Sequence, residues 1–194
     1  MKNKGLWIAL AVVVLLGIWG VSISNKIVVM EEGVDESWSQ VENVYQRRAD
    51  LIPNLVNTVK GYAEHESSTL TDVVEARAKA TSINISPENL NAESLKQFEA
   101  AQGQVSSALS RLMVAVEKYP DLKANQNFSD LQAQLEGTEN RITVERRNFN
   151  QTVRSYNTYI RKFPASLVAS IKGCEKKAYF EAQEGSEKAP EVKF

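Results

Sequence analysis

A stretch without charge near the start of the chain constrains the fold more than any other feature. From Gly5 to Ile23, about 19 residues pass without a charged side chain, and most of them are Leu, Ile, Val or Trp. A helix of that length is about 28 Å long, which matches the hydrocarbon core of a bilayer. We therefore predict a transmembrane helix over residues 5–25, preceded by a short flank at residues 1–4.

A cleaved signal peptide is the competing interpretation of this stretch. The apolar part of a signal peptide usually has about 7 to 15 residues and is followed by a small-x-small cleavage site. This stretch is longer, and Ser22-Ile23-Ser24 is only a weak cleavage site. We favour an uncleaved signal anchor. The single cysteine, Cys174, is far from the span, so a lipid-modified cysteine anchor is excluded.

Charge predicts the orientation of the span. Lys2 and Lys4 precede it, whereas only Lys26 follows before Glu31. Because Lys and Arg are retained on the cytoplasmic side, we predict a single-pass protein of the bacterial inner membrane with a cytoplasmic N-terminus and a periplasmic bulk. The part after the span holds all 24 acidic residues and all but two of the 23 basic ones. That balance predicts no affinity for nucleic acid or for an anionic bilayer.

Three seams of apolar residues, spaced alternately by three and four, follow the span and predict long amphipathic helices. No segment alternates with a period of two, so the predicted fold class is all-α. Short turns between the helices predict an antiparallel up-and-down bundle over residues 26–180, followed by a polar tail at residues 181–194. The predicted long helices run from Val34 to Ala80, from Glu93 to Tyr119 and from Phe128 to Phe163, with a possible short fourth helix at Ser166 to Lys172.

The first predicted helix has two weak points. Pro53 lies inside it and removes one backbone hydrogen bond, but the seam keeps its phase on both sides, which predicts a kink rather than an end. Gly61 is also unfavourable in a helix and can mark a close approach to a neighbour. We predict that the helix continues through both.

Unequal helix lengths predict self-association. The first helix would be about 70 Å long and the second only about 40 Å, so part of the first seam would lack an intramolecular partner. We predict that the membrane-proximal stretch around Trp38 packs against a neighbouring copy, although a place in the monomer's own core is the alternative for Trp38. Gly17 and Gly20 supply small residues on one side of the span, which favours close packing of membrane helices.

Few residues offer chemistry. His65 is flanked by Glu64 and Glu66, but adjacent helical side chains diverge by about 100°, so they cannot converge on a metal ion. Cys174 has no second thiol and no nearby base, which favours a structural role. Arg48 and Glu145 both fall on seam positions. They either lie on a solvated face or form a buried pair that fixes the register of two helices.

The stretch from Tyr45 to Glu66, which reads Tyr-Gln-Arg-Arg-Ala-Asp-Leu-Ile-Pro-Asn-Leu-Val and onward, resembles the signature of the LemA family of bacterial membrane proteins. Trp38 to Gln40, Val74 to Lys79, Tyr156-Asn157, Phe163-Pro164 and Tyr179 to Glu181 resemble further blocks of that family. The resemblance implies an up-and-down helical bundle behind one membrane helix. It carries no agreed biochemical activity, so it assigns no catalytic residue.

These observations favour a non-enzymatic, membrane-anchored protein without metal or cofactor. We expect a homo-oligomeric scaffold at the inner membrane, and the alternative is an adaptor or sensor that binds another envelope protein, such as a protease or a secretion component. An enzyme is disfavoured because the sequence holds no metal-ligand set, no glycine-rich phosphate loop and no nucleophile with a base.

Overall fold

A computed structural model describes residues 3–181, and every regular element in that range is helical, which confirms the all-α prediction there. Residues 182–194, most of the predicted polar tail, lie outside the described part. The α-helices are α1 (Asn3–Lys60), α2 (Ser67–Ser82), α3 (Ala92–Val116), α4 (Pro120–Lys123), α5 (Gln126–Arg161) and α6 (Ala165–Lys172), and short 3-10 helices lie at Glu64–Glu66 and Pro87–Asn89.

Helix α1 joins the apolar stretch directly to the folded part of the chain. Its residues from Lys4 to Val21 are exposed except for the half-buried Gly20, whereas Ile23 and Ile27 are already buried against other helices. Within the described residues, α1 is the one helix long and apolar enough to cross a membrane. No linker separates this segment from the helical domain, by which we mean residues 22–181.

The first predicted helix is two helices, and the prediction of one helix to Ala80 is wrong. Helix α1 ends at Lys60, and the amides of Tyr62 and Ala63 both donate to the carbonyl of Val59 in a tight turn. Gly61 lies in this turn, where its poor helical propensity matters most. The seam keeps its spacing across the break because Val59 and Ala63 are both buried, so periodicity alone did not reveal the reversal.

Contacts between side chains of different helices show the direction in which each helix runs. Arg77 of α2 reaches Ala49 of α1, and Arg111 of α3 reaches Asp72 of α2. Helix α5 starts beside Tyr62 and passes Arg48 with Glu139 farther along. Hence α2 and α5 run back toward the N-terminal, apolar end of α1, and α3 runs away from it.

Asparagine side chains and one glycine set several helix ends. The side chain of Asn91 accepts from the amide of Ser94 at 3.0 Å at the start of α3, and Asn125 accepts from the amide of Phe128 at 3.1 Å at the start of α5. Both satisfy amides that have no partner inside the helix. Helix α6 ends at Gly173, whose φ of 68° is the left-handed conformation that glycine adopts without strain.

The core covers the stretch of α1 that we predicted to be free. Val34, Trp38 and Val41 are fully buried and Tyr45 is 6% exposed, so none is available to a neighbouring copy. The length argument fails because α1 ends at Lys60 and α2 returns beside it. The connection before α3, helix α5 and the segment after α6 then cover the membrane-proximal seam.

Candidate functional site

A polar cluster around Arg48 interrupts the middle of the apolar core. The guanidinium is 2% exposed. Its Nη1 donates to Glu139 Oε1 at 2.7 Å and to Ser106 Oγ at 2.8 Å, and its Nη2 donates to Gln102 Oε1 at 2.6 Å. The guanidinium also lies 5.1 Å from the centre of the Tyr45 ring. One side chain of α1 therefore binds α3 and α5 together.

This polar layer follows from gaps in the three seams. The first seam passes from Tyr45 to Ile52, the second from Phe98 to Val105 and the third from Leu135 to Ile142, each with only alanine or polar residues at the seam positions in between. The residues in those gaps include Arg48, Gln102 and Glu139, which meet in the structure. A shared gap was the signal that would have identified the partners of Arg48.

The predicted pair of Arg48 with Glu145 is wrong, although Arg48 is buried as the pairing required. Glu145 accepts a hydrogen bond from Asn148 on its own helix, at 3.0 Å. The third seam has a second gap after Ile142, and the residue that turns inward there is Arg146. Its guanidinium pairs with Glu99 and lies 4.5 Å from the centre of the Phe180 ring. Burial raises the pKa of the Glu99 carboxyl, and Arg146 opposes that rise.

Pro53 shapes a second contact between helices. Proline has no N–H, so the carbonyl of Ala49, four residues earlier, lacks its usual donor within α1. The Nε of Arg77 on α2 donates to that carbonyl at 2.7 Å. Helix α1 continues through Pro53, whose ring is exposed. The missing bond thus becomes an attachment point for the neighbouring helix.

Trp38 is the centre of an aromatic cluster. Its indole contacts the rings of Phe98, Phe149 and Phe180, with centroids 5.3 to 6.1 Å apart. Its Nε1 donates to the carbonyl of Ile85 at 3.1 Å. These partners come from α3, α5, the segment after α6 and the connection before α3. The predicted role of Trp38 as a contact between copies is therefore wrong, and its place in the monomer's core is observed.

The segment after α6 packs along α5 through two asparagines. The Asn150 side chain bonds both the N–H and the carbonyl of Phe180, each at 2.9 Å. The Asn157 side chain does the same with Lys177, at 2.9 and 3.0 Å. Each asparagine side chain thus makes the two hydrogen bonds to the backbone that a neighbouring β-strand would otherwise make. Tyr156, beside Asn157, is fully buried, and this burial raises the pKa of its hydroxyl above the ordinary value.

The remaining predicted residues lie apart from these clusters. A side chain added at Gly17 or Gly20 would contact nothing, so this side of the span is open. His65 is exposed in the turn between α1 and α2, and Cys174 is half-buried. Among residues 3–181, no three His, Cys, Asp or Glu side chains come close enough to hold a metal ion.

A charged recess lies on the outer side of α5. It is an open groove of about 750 Å³ whose walls include Arg147, Gln151, Arg154 and Tyr179. Arg147 and Arg154 are seven residues apart, so they lie on the same face of the helix. The groove presents two exposed guanidinium groups to solvent.

Comparison with known proteins assigns this chain to a family. The model of the LemA family matches residues 37–194. The chain belongs to the LemA family. Magnetosome protein MamQ 1 of Paramagnetospirillum magneticum is 30% identical over 175 residues, which are 81% of this chain and 64% of that protein. Magnetosome protein MamQ of Magnetospirillum gryphiswaldense is 30% identical over 174 residues.

A further relative bears the family's own name. Protein LemA of Metamycoplasma hominis is 24% identical over 163 residues, which are 82% of this chain and 69% of that protein. This chain spans just under two thirds of the length of the MamQ proteins, which are therefore longer than the shared part.

In this LemA-family chain, the signature residues are packing determinants. On α1, Trp38 contacts α3 and α5, Arg48 binds the same two helices, and Pro53 frees the carbonyl of Ala49 for Arg77 of α2. Arg77 and Asn157 belong to later blocks of the resemblance and supply two further contacts between segments. The blocks that carry the resemblance meet inside the domain and hold its segments in register.

Proposed function

We propose that this chain is a non-enzymatic, membrane-anchored LemA-like protein of the bacterial envelope that acts as a homo-oligomeric scaffold. In this proposal α1 crosses the inner membrane once, with the N-terminus in the cytoplasm, and an antiparallel helical bundle stands on its periplasmic end. The observation that carries the proposal is the continuity of α1 from the exposed apolar stretch to the buried residues Ile23 and Ile27.

Continuity matters because a helix transmits position where a flexible linker would not. Between Val21 and Ile27 the same helix passes from exposed to buried surroundings within about two turns, or roughly 9 Å. The bundle would therefore be held at a fixed height and direction relative to the bilayer. A scaffold needs such fixed geometry, because each copy must present the same surface to the next.

The open side of the anchor is the surface that we assign to self-association. Gly17 and Gly20 let a second helix approach closely, and Trp38 and its neighbours are already occupied within the monomer. We expect the full chain in mild detergent to have a native mass that is a multiple of 21.6 kDa. The double variant Gly17→Leu and Gly20→Leu should lower that mass to the monomer.

A matched control and two contrary outcomes complete this experiment. Ser22→Leu also enlarges a small residue, but on the opposite side of the span, and should leave the assembly unchanged. Self-association through the anchor would be refuted if the native chain were monomeric, or if the glycine substitutions left its native mass unchanged. Loss of the chain from membranes during an alkaline wash would refute the anchor itself.

Binding of another envelope protein is the second candidate function, and the groove beside Arg147 and Arg154 favours it. Two exposed guanidinium groups on one face suit an acidic segment of a partner. In the same native-mass experiment, a small homomer that enlarges only together with one cross-linked second protein would favour the adaptor over the scaffold.

A further inference from the structure

Helix α6 carries an apolar stripe that the protein itself does not cover. Leu167 and Ile171 are four residues apart on α6, so they lie on one face, and Phe163 lies in the turn just before this helix. Phe163, Leu167 and Ile171 are 78%, 59% and 86% exposed. The opposite face of α6 is packed, because Ala165 and Ala169 are buried in the core. This helix is thus fixed to the domain with its larger apolar side chains turned outward.

The position of α6 along α1 can be read from contacts. Gly33 of α1 lies beside Thr152 of α5, which runs in the opposite direction. Lys162 follows Thr152 by ten residues, or about 15 Å of helix, which brings it to the level of Ile23. At the other end of α6, Lys172 Nζ donates to Ser24 Oγ at 3.1 Å. Both ends of α6 therefore lie at the same level, so the helix crosses the direction of α1.

That level is the end of the apolar stretch. Residues 5–23 carry no charge, and the buried core begins at Ile23. Val28 and Val29, one turn farther along α1, are also exposed. An apolar belt formed by Val28, Val29, Phe163, Leu167 and Ile171 thus continues the exposed surface of the span onto the base of the domain.

Basic side chains surround the belt. The exposed ones at this end of the domain are Lys26, Arg161, Lys162, Lys172 and Lys176. Glu32 and Glu175 are exposed near them, and Glu31 is paired with Lys177. The near-neutral net charge of the whole chain hides this local excess, which is why composition predicted no affinity for an anionic bilayer. An apolar stripe with basic flanks is the surface of a helix that lies in a membrane interface.

We propose that α6 lies in the lipid interface beside the anchor, with Phe163, Leu167 and Ile171 among the acyl chains and the basic residues at anionic headgroups. This inference rests on the membrane anchoring proposed above. The second contact would fix the rotation of the domain about the axis of α1, which one transmembrane helix alone leaves free.

Depth-dependent fluorescence quenching tests this placement in the full chain. Cys174→Ser removes the native thiol, and single cysteines for an environment-sensitive fluorophore replace Leu167 in α6, Val13 in the anchor or Ser129 on the exposed face of α5. The chain is reconstituted into vesicles of phosphatidylcholine and phosphatidylglycerol with brominated acyl chains. We expect quenching at Leu167 and Val13 at least about twofold stronger than at Ser129, because interfacial helices insert about 5–10 Å.

The three positions separate failure of this inference from failure of the anchor. Quenching at Val13 without quenching at Leu167 would overturn the placement of α6 and leave the anchor intact. Absence of quenching at both positions would overturn the anchor as well. If labelled Leu167→Cys chains are unquenched and the unlabelled variant forms a disulfide between two copies under an added oxidant, the stripe is a contact between copies, which also overturns the proposal.

Two further comparisons examine the chemistry of the contact. Ile171→Glu in the Leu167→Cys chain should remove most of the quenching at position 167 and leave that at Val13 unchanged, because Ile171 is exposed and supports no packing. Vesicles without phosphatidylglycerol should quench position 167 less than the mixed vesicles. Equal quenching in the two lipids would overturn the assignment of the basic residues to anionic headgroups.

Discussion

The bond between Arg77 and the carbonyl of Ala49 should depend on Pro53. Arg77→Met keeps the aliphatic part of the side chain and removes a charged donor from an acceptor at 2.7 Å. Hydrogen bonds to charged groups contribute about 1.5–3 kcal/mol, and Ala49 is only 8% exposed, so water cannot fully replace the donor. We expect Arg77→Met to lower the free energy of unfolding by about 2 kcal/mol.

The second half of the cycle uses Pro53→Ala. Alanine restores the backbone N–H that can donate to Ala49 within α1, so the carbonyl no longer needs Arg77. In that background, we expect Arg77→Met to cost less than about 1 kcal/mol, which leaves a coupling energy of about 1 kcal/mol or more. Lys79→Met, an exposed substitution on the same helix, should stay within about 0.5 kcal/mol in both backgrounds.

Urea unfolding of the full chain in mild detergent, followed by circular dichroism at 222 nm, gives the four free energies. For a chain of this size, each kcal/mol of difference in the free energy of unfolding corresponds to a shift of about 2–4 °C in Tm. An equal cost of Arg77→Met with Pro53 and with Ala at position 53 would refute the compensation. Arg77 would then be an ordinary contact, unrelated to the missing N–H.

Two other predictions concern buried polar groups. Arg48→Ala should lower the free energy of unfolding by about 1–3 kcal/mol, because it leaves the buried Gln102 side chain without its donor. Arg47→Ala beside it removes an exposed side chain and should cost less than about 0.5 kcal/mol. Similar costs for both would contradict the buried layer. Burial raises the pKa of Tyr156 above its ordinary value of 10.0, so its contribution to stability is present below pH 10 and is lost as pH rises above it. Tyr156→Phe should reduce the loss in free energy of unfolding above pH 10 by up to about 1.4 kcal/mol per pH unit. The exposed control Tyr62→Phe should not reduce this loss. Urea unfolding midpoints measured across that pH range test both expectations.

Sequence periodicity located the long helical segments because burial repeats with the helical turn. The second and third predicted helices, Glu93 to Tyr119 and Phe128 to Phe163, correspond within a few residues to α3 and α5. The predicted short fourth helix at Ser166 to Lys172 corresponds to α6. Asn91 precedes α3, Asn125 precedes α5 and Gly173 follows α6, and the backbone preferences of these residue types are local and can be read without tertiary contacts.

The reversal at Gly61 was not predictable from the seam alone. A continuous heptad pattern describes which side of a helix is buried and contains no information on whether the chain turns back. At Gly61 the apolar residues Val59 and Ala63 are spaced by four, as they would be in an unbroken helix. The turn buries the same two residues that an unbroken helix would bury, so the sequence pattern is the same for a turn and for a continuous helix.

The partner of Arg48 was unpredictable for a related reason. Glu139 and Glu145 both occupy gaps in the third seam, and either could face Arg48 if α5 shifted by about two turns. The register is set elsewhere, where Trp38 contacts Phe149 and where Gly33 lies against Thr152. Position along the helix is therefore decided by the shapes of large and small side chains, which a polarity pattern does not encode.

The corrected length of α1 changes where a contact between copies can form. A first helix that reached Ala80 would leave its surplus apolar surface at the end near the span, around Trp38. With α2 folded back, that end is covered, and the exposed apolar residues concentrate on the span and on the belt beside it. In the proposed arrangement, both surfaces would face the bilayer rather than the periplasm. Association through the lipid-embedded part and lipid contact at α6 are therefore compatible, because the small residues at positions 17 and 20 lie on the span, whereas the stripe lies on α6.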